Sequence, residues 1–290
     1  MTKNLHLKHP EDDILTGNLN VLDWILDVKN LSVKYDGSPA IVWGRNPATG
    51  NQFVGTKSVF NKVKIKINEN HEDIDRNHSG IVATILHICL DFLPDTSGIY
   101  QGDFIGFGDS DNLQPNTLVY EIDGSEDYTI IVAPHTEYLG GTDLRDTIAF
   151  PFLGQLESSE CCLFIQPDAY ILDEDFSERV AFIRQCATMV EFLDEKTAAK
   201  YKIEINRRIR TGEEITPETF DNPLVMSLWT LTKTIKDDML SLCCHFEGPR
   251  AYLDGEEVDG EGYVGSNGFG SYKLVNREVF SRANFNVVRS

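Results

Sequence analysis

The sequence is short of positive charge. Its 290 residues contain 26 lysines and arginines against 46 aspartates and glutamates, a formal net charge of −20. A surface of that sign repels the phosphates of a nucleic acid unless basic residues are gathered locally. Long apolar runs are missing too, and the opening MTKNLHLKHPEDD is too polar for a secretory signal, which argues against a membrane partner and for a soluble cytoplasmic protein. The six cysteines include the adjacent pairs Cys161-Cys162 and Cys243-Cys244 but no CxxC or metal-finger spacing. That pattern disfavours zinc ligation and a disulfide framework and points to buried, reduced thiols. Internal repeats and low-complexity linkers are absent as well, so a repeat architecture is not indicated.

What remains is an ordinary globular composition, 41% hydrophobic, sufficient for one large core. Leu19, Leu22, Ile25 and Leu26 predict a short helix near the start. From 31 to about 150, segments such as IVWG, QFVGTKSVF, GIYQGDFIGF, NTLVYEI and YTIIVA are broken by Gly, Pro and Asn. They predict antiparallel sheet, with one helix at SGIVATILHICLDFL. Spacing turns helical through 176–246, and GEGYVGSNGFGSYKLVN returns to strand, turn, strand.

The scarce positive charge is concentrated. Residues 29–66 hold seven basic side chains (Lys29, Lys34, Arg45, Lys57, Lys62, Lys64, Lys66) and one acidic one, Asp36. KVKIK, read as a strand, sets Lys62, Lys64 and Lys66 on one face, either as a guide for a polynucleotide or as edge protection. KYKIEINRRIR at 200–210 and the end from Lys273 onward are also locally basic. His6, His9, Asp12 and Asp13 have metal-ligand chemistry, but Pro10 followed by acidic residues reads better as a helix start with surface polarity.

The stretch KYDGSPA, with Lys34 two residues before an Asp-Gly pair, acquires meaning from its company. It resembles motif I of the covalent nucleotidyltransferase superfamily, the ATP-dependent DNA and RNA ligases and the mRNA capping enzymes. VGTKSVF with Lys57 looks like motif Ia, YQGDF with Asp103 like motif III, and LVYEI with Tyr120 like motif IIIa. EGYV with Glu261 matches motif IV, and SYKLV places Lys273 at the second lysine of motif V. The whole chain is also similar to ligase-like proteins of tailed phages, which would make the compartment a host cytoplasm. Two positions depart from the pattern: Pro39 stands where the fuller motif I has arginine, and Ser271 replaces the first lysine of motif V.

The resemblance implies an α+β fold: two antiparallel sheets form a nucleotide-binding cleft with flanking helices. It implies a single domain over 1–290, with 155–246 as a helical insertion and no C-terminal OB-fold. It implies ATP and Mg²⁺ (or Mn²⁺) as the small-molecule partners and a nucleic acid with a 5′-phosphate end as acceptor, RNA favoured over DNA. Lys34 would carry the nucleotide. A lysine at its reference pKa of about 10.4 is protonated at neutral pH and must lose that proton before attacking phosphorus. Partial burial, divalent metal and the neighbouring cations Lys57 and Lys273 would help, and the two lysines would also hold the triphosphate. Val33 and Gly37 would line the nucleotide, with Gly37 and Gly102 admitting it closely. Asp103 would take a ribose hydroxyl or metal, Tyr120 would stack on the base, and Glu261 would contact metal. His135 is a further candidate for the site. Two other readings carry different chemistry: a nucleotidyltransferase acting on a protein or small molecule, and a non-catalytic nucleotide-binding module of ligase ancestry.

Overall fold

Most of the alternating and helical periods along the chain become strands and helices, KVKIK at 62–66 being an exception. The computed structural model describes residues 7–280. In chain order the elements are α1 (Pro10–Ile14), α2 (Asn20–Asp27), β1 (Asn30–Lys34), β2 (Ala40–Arg45), β3 (Gln52–Gly55), α3 (His71–Asn77) and α4 (Gly80–Phe92). There follow β4 (Ile99–Phe107), β5 (Asn112–Leu113), β6 (Val119–Glu121), β7 (Ile130–Leu139), β8 (Ile148–Pro151), β9 (Cys162–Phe164) and β10 (Ala169–Ile171). Three helices, α5 (Ser177–Ala187), α6 (Glu195–Thr211) and α7 (Pro223–Leu242), precede β11 (Cys243–His245), β12 (Arg250–Leu253), β13 (Glu256–Val258), β14 (Gly262–Asn267) and β15 (Gly270–Val275). The class is α+β, and the strands form three sheets rather than the expected two.

The described chain divides into two units. One comprises Tyr35–Gln166 and Glu247–Gly260; the other comprises residues 7–34, 167–246 and 261–280. The stretch expected as a helical insertion over 155–246 is split by this partition. Its helices share a unit with both ends of the described chain, which supply β1, β14 and β15 of that unit's sheet.

In the unit that holds the helices, an antiparallel sheet runs β11-β10-β1-β14-β15. The helix starts are locally encoded. Asn222 accepts from the Val225 N–H with Pro223 at the first helical position of α7, and Asp194 accepts from the Thr197 N–H at the start of α6. Gly212, at φ +69°, ends α6 in the left-handed region. On α7 the buried Val225, Leu228, Trp229, Thr232, Ile235 and Met239 recur at helical spacing and join Trp24, Tyr201 and Leu274 in one core.

The other unit carries two sheets. One has the order β3-β2-β4-β7-β8 with β9 added parallel to β7; the second has the order β13-β12-β6-β5. On the larger sheet, Ile41, Trp43, Val54, Phe104 and Val132 pack against Ile85, Leu86 and Cys89 of α4. Val42, Phe53 and Tyr138 form a second core with Val59, Phe60 and Leu144.

Candidate active site

Three strands with strict alternation build the part of the site that contains the predicted nucleophile. The register aligns Val33, Tyr263 and Leu274 across β1, β14 and β15, and Leu31, Gly265 and Tyr272 in the next row but one. These residues face the helical core, and Trp24 Nε1 donates to the Gly265 carbonyl at 3.2 Å. The opposite face therefore carries Ser32, Lys34, Val264, Ser271 and Lys273. Val33, expected beside a nucleotide, belongs to the core-facing rows instead.

On that opposite face Lys34 Nζ lies 2.5 Å from Glu261 Oε2, with 22% and 12% of the side chains exposed. The residue directly across from Lys34 is Gly262, at φ +129°, where a Cβ would fall 2.2 Å from the Leu274 carbonyl oxygen. Only glycine fits, so the chain just after Glu261 can lie tightly against β15. Lys273, half-buried, projects from the same face two rows from Lys34. Ser271, at the departing motif V position, accepts from Ser266 Oγ at 2.9 Å.

The opening HPEDD overturns its expectation. Pro10 does start α1, but His9 makes no side-chain cap, and Glu11, Asp12 and Asp13 are buried instead of forming a polar surface. Arg277, itself 2% exposed, donates from Nη1 and Nη2 to the two oxygens of Asp12 at 2.8 and 3.1 Å and from Nη1 to Glu11 at 3.2 Å. Trp229 Nε1 donates to Asp12, and the Tyr272 hydroxyl donates to Asp13. Lys236, fully buried, donates to the Val275 carbonyl and pairs with Asp237. Burial opposes the charge of Arg277, but Asp12 and then Glu11 outweigh it and raise its pKa; burial pushes the Glu11 carboxyl up against the pull of Lys236. His6 lies outside the described residues, as does the SRANF segment.

His9 links this cluster to the lysine face. Lys8 bridges in parallel to Tyr272, and the Lys273 N–H donates to the Lys8 carbonyl at 3.0 Å, so the chain start extends the sheet beside β15. Burial, then Arg277, Lys273, Lys236 and Lys34, push the His9 pKa down to about 2, which leaves a neutral imidazole among cations. Its Nδ1 is buried without a hydrogen-bond partner. The sequence contains a signal for this that capping logic hides: four charged or titratable residues, His9 and Glu11 to Asp13, ahead of an apolar Ile-Leu pair.

The remaining predicted residues lie in the other unit. Lys57 opens a 3-10 turn, Lys57–Phe60, and is exposed. Asp103, on β4, is 21% exposed, with His135 Nε2 3.8 Å away. Gly37 has a packing reason, since a Cβ there would meet the Asp103 Cβ at 2.5 Å; at Gly102 it would meet the Ala133 carbonyl at 2.7 Å. Tyr120 is 1% exposed and offers no open ring face for a base. Its hydroxyl accepts from the Asp36 N–H at 2.7 Å, and its ring packs edge-on against Tyr35. Asp36 itself accepts from Asn116 Nδ2 and from the N–H groups of Thr117 and Leu118, so the acid of the KYDG turn anchors a neighbouring loop. Sequence reading missed that role because the loop is 80 residues away.

The lysine row is not formed. Residues 61–66 carry no strand, with bends at 62–64, Lys64 sits at φ +57°, and Lys66 donates to the Asn77 carbonyl. A left-handed residue in mid-segment destroys the alternation that a row requires. On α6, Arg207 and Arg208 are taken up by Glu204 and Glu213, which neutralises much of the 200–210 patch. All six cysteines are free thiols, and burial raises Cys162 and Cys243 to about 12.

Among the described residues no group of three or more His, Cys, Asp and Glu side chains is arranged to hold a metal ion, and no helix is long and apolar enough to cross a membrane. An α+β protein with a lysine–carboxylate pair on one sheet face is the class these observations define. The chain belongs to a family of unknown function, DUF6267, whose model matches residues 4–220 and 185–289. No curated protein and no solved structure matches it.

Proposed function

We propose that this chain is an ATP-dependent covalent nucleotidyltransferase of the polynucleotide ligase type, with Lys34 as the nucleophile. The observation that carries the reading is the Lys34–Glu261 pair, joined at 2.5 Å from positions 227 residues apart, with Lys273 on the same sheet face. Two residues first singled out by the motif resemblance thus meet through strand register.

In the reaction, the Lys34 amine attacks the α-phosphorus of ATP. A P–N bond forms, the bond from that phosphorus to the pyrophosphate oxygen breaks, and the ammonium proton passes to solvent. Attack requires the Lys34–Glu261 ion pair to open, since a protonated amine has no lone pair. Lys273 offsets the charge gathering on the phosphates. His9, neutral, adds no further cation to the group, which limits repulsion between the lysines. Glu261 offers the hard oxygen donor that Mg²⁺ takes; the ion would neutralise phosphate charge. A 5′-phosphate oxygen then attacks the lysine-bound AMP, the P–N bond breaks, and a 3′-hydroxyl displaces AMP to seal the strand.

A second acceptor class, a protein or small molecule, is favoured by the charge: −20 overall, with Arg207 and Arg208 internally paired. Incubation with α-labelled ATP and Mg²⁺, followed by a denaturing gel, is the decisive experiment. Wild type is expected to retain label, while Lys34→Ala and Lys34→Arg retain none, because arginine does not deprotonate to attack. Label on Lys34→Ala sinks the proposal. Salt-dependent binding of RNA and DNA to the wild type then separates the two acceptor classes.

A further inference from the structure

The sequence contains the same spacing twice, His71-x-x-x-Asp75 and His87-x-x-x-Asp91, and each pair falls on a helix. Residues four apart share a helix face, so α3 presents His71 above Asp75 and α4 presents His87 above Asp91. The contacts cross between the helices. His71 Nε2 lies 3.1 Å from Asp91 Oδ1, and His87 Nε2 lies 3.0 Å from Asp75 Oδ1. The start of α3 thus meets the end of α4, and the two pairs are related by an approximate twofold. Between them the rings meet edge to edge, with centroids 5.0 Å apart and planes 19° apart. Their Nδ1 atoms are 2.7 Å apart.

That last contact needs a positive centre. A carboxylate only accepts, so each Nε2 carries the hydrogen, and each Nδ1 is left with a lone pair. Two lone pairs facing each other at 2.7 Å repel. A single proton between the rings relieves this, and so does a metal ion. The arrangement has the features of an imidazole metal site: two nitrogens aimed at one point, each ring fixed in orientation and tautomer by a carboxylate behind it. Two metal–nitrogen bonds of about 2.0–2.1 Å at a tetrahedral angle place the nitrogens roughly 3.3 Å apart, so the rings must separate by about 0.6 Å. The side chains have room to do so, with His71 51% and His87 29% exposed. The packing of this helix pair does not depend on them, because Ile74, Ile85, Leu86 and Cys89 supply its buried contacts.

We propose that His71 and His87 form a two-histidine binding site for a divalent transition-metal ion, with Asp91 and Asp75 as the carboxylates that orient the rings. Water completes the coordination. Nitrogen donors select Zn²⁺, and Cu²⁺ more strongly, over Mg²⁺ and Ca²⁺, which require oxygen. None of the four residues is among those assigned to nucleotide chemistry, so the site stands independently of that reading.

The test is a Zn²⁺ titration of the full chain by calorimetry in millimolar Mg²⁺. Wild type is expected to bind one Zn²⁺ that His71→Ala/His87→Ala, with an unchanged circular dichroism spectrum, does not bind. Asp75→Asn and Asp91→Asn are expected to weaken binding by about 10–100-fold, the usual cost of losing a carboxylate behind a ligand histidine. Zinc binding identical in wild type and the double variant overturns the proposal, because the ion would then sit elsewhere. An absence of zinc binding overturns it too.

Discussion

Two arginine networks in the same unit use the same fork geometry in opposite surroundings. On α6, Arg207 reaches Glu204 and Glu213 through bonds of 2.6–2.9 Å with every partner substantially exposed. Beside α1, Arg277 reaches Asp12 and Glu11 through bonds of 2.8–3.2 Å with nothing but protein around them. The exposed bonds are the shorter. Bonding with Arg207 leads the effects that hold Glu204 and Glu213 at about 2, yet water and salt screen such pairs and leave little net stability. In the buried set the geometry is looser, but each charge depends wholly on its partners, since none has water to return to. Bond length is therefore a poor guide to what a network contributes; the medium decides.

The largest expected effect breaks the buried side of this comparison. Arg277→Met leaves Asp12 and Glu11 uncompensated in the interior, and the expected loss is about 3–5 kcal/mol, read as a lower midpoint in urea denaturation. A midpoint within error of wild type would mean the buried network behaves like the exposed one. An intermediate effect belongs to His9. Its folded-state pKa of about 2 lies below the unfolded value of about 6.5, so the unfolded chain binds the extra proton as pH falls. Its contribution is fully present above about pH 6.5 and is lost progressively below it. Melting temperatures from pH 7.5 to 5 should fall for wild type and fall less steeply for His9→Gln; parallel curves would remove His9 as a source of the slope. The smallest effect is on α6, where Glu204→Gln should leave the urea midpoint unresolved from wild type in both low and high salt. A clear loss there would show that exposed networks on this protein are not screened as supposed.

The same contrast separates what was readable in the chain from what was not. KYDGSPA, EGYV and SYKLV singled out Lys34, Glu261 and Lys273 through motif resemblance, which needs no fold because each motif is a short local stretch. The caps Asp194 and Asn222 that start α6 and α7 are equally local features. Reading failed where a residue's surroundings come from distant segments. HPEDD has the composition of a solvated helix start, and its burial depends on Arg277, Trp229 and Tyr272, more than 200 positions away. KVKIK alternates as a strand would, but Lys64 turns left-handed and Lys66 is held by Asn77. Tyr120 stood where a base-stacking aromatic was expected and is buried against Tyr35 and Asp36.

By itself the sequence determined the charge, the periods, the turn at Asn267–Gly270 and which lysines and carboxylates stand in the motif-like stretches. These depend on a residue and its near neighbours, whose preferences need no partner. Only the tertiary structure decided that Lys34 pairs with Glu261, that three acidic residues at the chain's start are buried, and that His71 faces His87. Each of those depends on strand register, burial or helix pairing between separated segments. Folding selects such arrangements by the sum of many contacts, and no single stretch of chain contains that sum.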